Sequence, residues 1–440
     1  MRATVIASTL LGGVLLAGPH LANPAEVPRG AVADSGRVQE HLTQLAQFGA
    51  NPEGGVSRVA FSDADVAGRA YVKRLMEAAG LEVRIDSAGN LIGRREGADR
   101  RLPTIMLGSH TDSVPHGGNY DGDVGVIGAI EVAQQLRDRR IKLRHALEIA
   151  DFTDEEGGLV GSRAMAGALS VATLDLVNTS GRSVRDGIRL LGGDPDAVGR
   201  AQRNPGELAA YLELHIEQGG TLERTHTDIG VVEGIVGIHW WEATVTGVAN
   251  HAGTTPMDQR HDALLAAAEL VLAVNTAATD FPGRQVATVG RIRAEPAAPN
   301  VIPGKAVLSI EVRDLDAGRI AAVFERIRTR AAEIARARGT SIEFRDLEAT
   351  AAPALTDPRI QRIISSEARA LGLTAMVMPS GAGHDAQDIA RIAPIGMIFV
   401  PSVGGISHSP REYTAPADIT NGVNVLMRAL VAIDAGALNQ

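Results

Sequence analysis

Five side chains able to hold a metal cation fall in one short run of this chain, TIMLGSHTDSVPHGGNYDGD, from Thr104 to Asp123: His110, Asp112, His116, Asp121 and Asp123. Imidazole and carboxylate are the ligands that zinc and its neighbours prefer. Gly117, Gly118 and Gly122 let the backbone turn tightly and bring Asp121 back toward His110. A lone His-x-Asp is also what a solvated polar loop looks like, so the reading depends on partners elsewhere. Glu155 and Glu156 supply the first of them, in TDEEG. Adjacent carboxylates raise each other's pKa. A cation removes that cost for one and leaves the other free as a base. His215 interrupts the apolar run Tyr211 to Ile216, and Glu217-Gln218-Gly219 follows. His384-Asp385 and His408 sit in two further loops, SGAGHD and GGISHSP. Each histidine alone is more often structural, but their recurrence beside apolar runs points to one metal site.

Those runs are the elements that must position the site. Thr104 to Leu107 reads as a buried strand, as do Ala146 to Phe152, Tyr211 to Ile216 and Ile398 to Val400. Helices are expected after the N-cap Ser62, with Gly80 as the stop, and over Val126 to Arg137. Strands ending in polar loops between helices predict an open α/β sheet with its chemistry at the strand ends. From about Ile238 to Glu348 the order changes to β-α-β-β-α-β, that of a ferredoxin-like unit. The α/β alternation then resumes, so this unit is expected to be an insertion. The predicted organisation is a discontinuous catalytic domain, 34–236 and 350–440, interrupted by a second domain over 237–349.

Composition narrows the function. The chain has 440 residues, enough for two domains, and a formal net charge of −9, which disfavours a nucleic-acid surface. It has no cysteine, which excludes disulfides, thiolate metal sites and a cysteine nucleophile. Aromatics are 3% of residues, too few for a base-stacking platform. No G-x-S-x-G occurs, which disfavours a serine hydrolase. Arg2, the apolar stretch Ala3 to Ala17 and the small residues near Ala22 and Ala25 are similar to a secretory signal peptide over 1–25. Export to the periplasm is therefore expected, the alternative being the cytoplasm, and no other segment is apolar enough to span a membrane.

Taken together, GSHTDSV, GGNYDGDVGV, DEEG, ELHIEQG, NHAGTTPMD, NVIPG, SGAGHDAQ and GISHSP resemble the amidase, hydantoinase and carbamoylase branch of the dinuclear zinc peptidase superfamily that contains the M20 peptidases. Allantoate amidohydrolase, N-carbamoyl-L-amino-acid hydrolase and β-ureidopropionase are members. The resemblance runs from about Ser35 to the C-terminal helix, essentially the whole chain after the leader-like segment. It implies a mixed-sheet α/β metallohydrolase domain with an inserted lid and dimerisation domain. It implies two divalent ions (zinc, or manganese, cobalt or nickel) held by His110, Asp121, Glu156, His215 and His408, with Asp121 bridging. Glu155 would be the general base, and Asp112 the carboxylate that orients His110. His251 and Asn300, from the insertion, would stabilise the oxyanion, and Arg313 would pair the substrate carboxylate. Gln218 and His384 would line the same pocket, while His116 and His261 receive no role.

The histidine at 215, where M20 aminopeptidases and aminoacylases carry a carboxylate, implies carbamoyl hydrolysis. The expected reaction is cleavage of the ureido C–N bond of an N-carbamoyl-L-amino acid or related ureido acid by a homodimer. The products would be the amino acid, ammonia and carbon dioxide. The alternatives are an allantoate amidohydrolase or an M20-type aminoacylase or peptidase, and a non-enzymatic binding protein is disfavoured. One departure stands out: Leu159-Val160 replaces the family's usual Arg-Phe.

Overall fold

A computed structural model describes residues 33–439, so the signal-like segment lies outside the described residues. Strand Thr104–His110 is buried along its whole length, with Ile105, Met106 and Leu107 fully shielded from water. Each such side chain is worth about 1.5–3 kcal/mol of transfer free energy. A run this apolar has no solvent face to offer, and it takes a central position. It pairs in parallel with Leu147–Phe152 on one side and Leu208–Ile216 on the other. Ile395–Val400 adds in parallel to Leu208–Ile216. Antiparallel strands flank this parallel core: Leu91–Arg95 and Glu82–Ile85 at one edge, Ile229–Ile235 and Ala354–Leu355 toward the other. Ala375–Ser380 completes the nine-stranded mixed sheet by pairing in parallel with Ile229–Ile235.

The helices cover the sheet as their patterns require. Asp63–Ala78 starts at Ser62, whose hydroxyl accepts the Asp65 amide at 3.1 Å, and ends before Gly80, which adopts φ +83°. Asp123–Asp138 starts three residues before the expected Val126. A buried ion pair accounts for the early start. Arg58 is 1% exposed and clamps both oxygens of Asp123, at 2.7 and 2.6 Å. The same guanidinium donates to the carbonyls of Thr111, Leu45 and Phe48. It thereby ties both ends of the loop from Thr111 to Asp123 to the first helix, Ser35–Leu45. Losing either partner would strand a buried charge, at a cost of about 3–5 kcal/mol. Asp123 is therefore a structural anchor, and its carboxylate is not directed at a metal.

The insertion is a separate antiparallel sheet in the spatial order Ser341–Ala351, Gly237–Thr246, Lys305–Asp314, Val286–Glu295. Helices Ala263–Thr279 and Ala317–Arg338 pack on one face, against Trp241, Ala243, Val245, Leu308, Ile310 and Val312. The chain order is the expected β-α-β-β-α-β, and its last strand runs to Ala351. A short ribbon, Asn250–His251 against Val301–Ile302, projects from it. Among the described residues, no helix is long and apolar enough to cross a membrane.

Candidate metal centre

Each candidate ligand comes from the end of a core strand or from the loop after it. His110 is the last residue of Thr104–His110, and His215 is the next to last of Leu208–Ile216. Both rings are 1% exposed. His110 Nδ1 donates to the Asp112 carbonyl at 3.0 Å, and His215 Nδ1 to the Ile216 carbonyl at 2.9 Å. With Nδ1 committed to a carbonyl, the neutral form of each ring presents Nε2 as a lone pair, the form in which imidazole binds a metal. Asp121 is carried round by Gly122 at φ +67°, where a Cβ would lie 2.5 Å from the His110 ring. Gly118 is required for a different reason: a Cβ there would collide with Glu412.

Glu155 and Glu156 open a single helical turn, Glu155–Gly158, bracketed by Asp154 and Leu159 in the left-handed region. Gly157 follows because a Cβ would sit 2.2 Å from Asp154 Oδ1. Gln218 and His408 also have positive φ. Such backbone costs about 1–3 kcal/mol per residue and gathers where function demands it.

The side chains converge in two groups that share Asp121. The ligand atoms of His110, Asp121 and His215 lie within 4.8 Å of one another, and so do those of Asp121, Glu156 and His408. His215 Nε2 is 3.1 Å from Asp121 Oδ1, and His408 Nε2 is 3.1 Å from Asp121 Oδ2 and 3.4 Å from Glu156 Oε2. His215 Nε2 and Glu156 Oε1 are buried without a hydrogen-bond partner. Carboxylates and imidazoles crowded together in this way need positive charge between them, which protons on His215 and His408 supply in metal-free protein and a pair of cations would supply in their place. The donor set, nitrogen and oxygen with no sulfur, fits zinc, manganese, cobalt or nickel. A third group, Glu213 with His215 and His384, overlaps the first. Glu213 already accepts from the Ser109 and Tyr211 hydroxyls and the Ala386 amide, which makes it a brace behind the site.

Glu155 belongs to neither group. Its Oε2 lies 3.7 Å from His110 Nε2, and its side chain is 8% exposed. Burial, followed by the nearby Asp385, Glu156 and Asp112 carboxylates, pushes it well above the ordinary range. Burial and Asp121 likewise raise Glu156, to about 8. At Asp121 burial is outweighed by His215 and His408, which hold it well below the usual carboxylate value. The hydrogen bond that the His408 ring donates to the Asp121 carboxylate raises His408 to about 9. At His215 burial opposes the charge, but Asp121 and Glu213 prevail and raise it to about 9.

Asp112 differs from its expected role. Its backbone carbonyl holds the His110 ring, while its carboxylate is 3.8 Å from Nδ1. That carboxylate accepts the amides of Glu155 and Glu156, both at 3.2 Å, and so pins the acidic turn beside the histidines. Gln218 donates to Asp121 Oδ2 at 2.6 Å. His384 is buried, its ring 4.4 Å from that of His215 and its Nε2 2.8 Å from Ser380 Oγ. His116 and His261 are exposed.

The residues of the insertion are placed differently. His251 and Asn300 are exposed, and the ribbon sets them side by side, with Val301 opposite His251 and the Asn300 carbonyl accepting the Ala252 amide. His251 Nδ1 accepts the amides of Gly253 and Thr254 at 3.0 and 3.2 Å. The neutral ring therefore carries its proton on Nε2, as a donor facing away from its own loop. Arg313 forks onto Glu311 at 2.7 and 3.1 Å and donates to the Gly381 carbonyl at 2.7 Å. Leu159, at the position of the departure from Arg-Phe, lines a cavity of about 560 Å³ with Arg163, Gln387 and residues 351–355.

Sequence reasoning missed Glu412. One of its oxygens accepts the amides of Tyr120 and Asp121, and the other accepts the Ser407 hydroxyl and the His408 amide. It joins the two ligand loops that contribute Asp121 and His408. The only signal was an acidic residue four positions after His408, which is indistinguishable from a solvated charge.

Residues 106–432 match the profile of Peptidase family M20/M25/M40. The chain is 39% identical over 395 residues to the N-carbamoyl-L-amino acid amidohydrolase of Geobacillus stearothermophilus, covering 89% of this chain and 96% of that protein. It is 38% identical over 412 residues to the ureidoglycolate hydrolase of Arabidopsis thaliana, covering 91% and 87%. Its structure superposes on the crystal structure of an amidase of the hydantoinase/carbamoylase family from Burkholderia multivorans with a TM-score of 0.84. That pair is 36% identical and covers 91% of this chain and 98% of the other.

Proposed function

Because this chain belongs to the M20/M25/M40 peptidase family, and within it to the metal-dependent amidohydrolases of the hydantoinase/carbamoylase type, we propose that its substrate is an N-carbamoyl-L-amino acid. The observation that carries the reading is the pair of ligand groups sharing Asp121, with His215 in one of them and Glu155 outside both. Two divalent cations held by His110, Asp121 and His215, and by Asp121, Glu156 and His408, would supply a water of lowered pKa. Glu155 takes the proton of that water and delivers it to the leaving nitrogen. The Nε2–H of His251 and the Asn300 amide donate to the oxyanion developing on the carbamoyl carbon once the insertion closes. Arg313 holds the substrate carboxylate, and Gln218 and His384 line the pocket. The hydroxide so formed bonds to the carbamoyl carbon and one C–N bond breaks; the carbamate left behind loses carbon dioxide, so the products are the amino acid, ammonia and carbon dioxide.

A second reading, a small ureido acid of the ureidoglycolate kind, is supported by the similarity to the plant enzyme. A panel run on metal-reconstituted enzyme with ammonia detection separates the two. Ammonia from N-carbamoyl-L-amino acids is the expected result. Ammonia only from ureidoglycolate or allantoate moves the assignment to those acids. Cleavage of N-acyl amino acids without ammonia release overturns the carbamoyl reading.

The working unit in this proposal is a homodimer joined through the insertion, whose edge strand Val286–Glu295 leaves Val286 53% and Ile292 45% exposed. A monomer in sedimentation at micromolar concentration would remove that part. The leader-like composition of residues 1–25 supports export. Recovery of intact Met1 or Arg2 from the host cytoplasm would place the protein there instead.

A further inference from the structure

The polypeptide crosses between the catalytic domain and the insertion twice, at Val236 on the way out and at Ala352 on the way back. Gln387 touches both crossings. Its Nε2 donates to the Val236 carbonyl at 3.1 Å and to the Ala352 carbonyl at 2.8 Å. The residue is 6% exposed, and its Oε1 is buried with no hydrogen-bond partner. The amide cannot be turned over, because its oxygen would then face two carbonyl oxygens. Gln387 sits in the helical turn Asp385–Ile389 directly after His384, and its own amide donates to the His384 carbonyl. Val236 is tied to the same loop by its amide, which donates to the Ser380 carbonyl at 3.0 Å.

Packing contributes little at the return crossing. Residues 351–353 line both the cavity of about 560 Å³ and another of about 420 Å³. Beside that open space, the directional hydrogen bonds from Gln387 help to fix the segment. The crossings also meet directly, since a Cβ on Gly237 would lie 2.6 Å from the Pro353 ring.

We propose that Gln387 is a clasp that registers the inserted domain against the His384 loop, and so acts as a positioning residue for the reaction through His251, Asn300 and Arg313. The kinetic part of this statement rests on the proposed role of those three residues, and the geometric part does not.

The absence of cysteine allows a clean test. Spin labels on V171C in the catalytic domain and R336C on the lid helix, both exposed positions, report the interdomain distance by double electron–electron resonance. Labelled chains are diluted with unlabelled protein, and the full-length metal-loaded enzyme is used throughout. Gln387→Met, which keeps the volume but removes both donors, is expected to broaden or shift the distribution. It should also lower kcat/KM at least tenfold, mainly through KM, at unchanged metal content. Gln387→Glu should act in the same direction. A distribution as narrow as that of the parent overturns the clasp, whatever happens to activity. A broadened distribution with unchanged kinetics keeps the clasp and overturns the catalytic role of the insertion. If Gln387→Met and Gln387→Glu do not fold, Gln387→Asn, which keeps the amide but withdraws it by one methylene from both carbonyls, takes their place. The same broadening is then expected, and an unaltered distribution overturns the proposal.

Discussion

The loops at the strand ends and the ribbon of the inserted domain are both candidates for the same reaction, yet they are built in opposite ways. His110 and His215 are 1% exposed and hydrogen-bonded through Nδ1, and Asp121 is flanked by Gln218, Ser407 and Glu412 contacts. His251 lies exposed on a two-residue ribbon and Asn300 in the turn that leads into it. The difference follows from what each half must do. Ligands that hold cations must exclude competing donors and keep their geometry without substrate, so all but the exposed loop residue His408 grow out of the packed core. Groups that donate to an oxyanion must first let the substrate in, so they wait in solvent on a body that can close. In the proposed reaction one half is preformed and the other would be delivered by closure of the insertion.

The largest expected effects lie in the preformed half, and two substitutions divide it. Glu155→Gln should retain both metals by elemental analysis while losing roughly 10²–10⁴-fold in kcat. His215→Ala or His408→Ala should lose metal together with activity. A Glu155→Gln enzyme that turns over at the parental rate removes the general-base assignment. Full occupancy in either histidine variant removes that residue from the ligand set.

The delivered half is expected to respond without any loss of metal. Asn300→Ala or His251→Ala should lower kcat by roughly 10²–10³-fold, the effect of deleting one oxyanion donor, at unchanged metal content. If the ribbon serves the neighbouring subunit, mixing Glu155→Gln with His251→Ala chains should restore activity, because hybrid dimers contain one complete site. No recovery after demonstrated subunit exchange would place the ribbon in its own chain's site.

Metal loading probes the same contrast through pH. In metal-free protein His215 and His408 are raised to about 9 and Glu156 to about 8. Below those values the ligands carry protons that a cation must displace, so apparent affinity should rise with pH up to about 9. Each displaced proton is worth about tenfold per pH unit. Competition with a chelator between pH 6 and 9 measures the slope. A flat profile would mean that the ligands are already unprotonated, and lid variants should leave the slope unchanged.

How much of this was legible in the sequence depends on the same division. The apolar runs ending in His110, Glu155-Glu156 and His215 announced both the sheet and the ligands, because each run meets imidazole or carboxylate where the chain leaves the sheet for a loop. The order of elements in the insertion was readable from periodicity. Strand Ile229–Ile235 was not read, since Gly230 and Gly234 interrupt its apolar pattern. Those glycines answer to tertiary neighbours: a Cβ on Gly230 would lie 2.8 Å from Phe399 Cβ. The carboxylate of Asp112, Glu412 and Gln387 act through contacts distant in sequence, which local composition does not report. Arg58 was passed over for the same reason, because an arginine before a helix reads as a surface charge until Asp123 is placed beside it.

Arg313 tests the boundary between the two halves and carries the smallest expected effect. It belongs to the insertion, but its Nη1 reaches the Gly381 carbonyl in the loop that bears His384. Its fork is occupied by Glu311. Arg313 is thus either an interdomain tie or a substrate fork held ready by Glu311. Lysine keeps the charge but cannot reproduce the planar pair of donors. If Arg313 holds the substrate carboxylate, Arg313→Lys should raise KM about tenfold, the loss of roughly one charge-assisted hydrogen bond. Metal content and thermal stability should hardly change. The control is the N-carbamoyl amino acid amide, which lacks the carboxylate: the parent should prefer the acid strongly, and the variant should lose most of that preference. Equal losses on acid and amide would make Arg313 a tie between the domains. In that case Glu311→Gln, which weakens the fork but leaves the contact with Gly381, should be nearly silent.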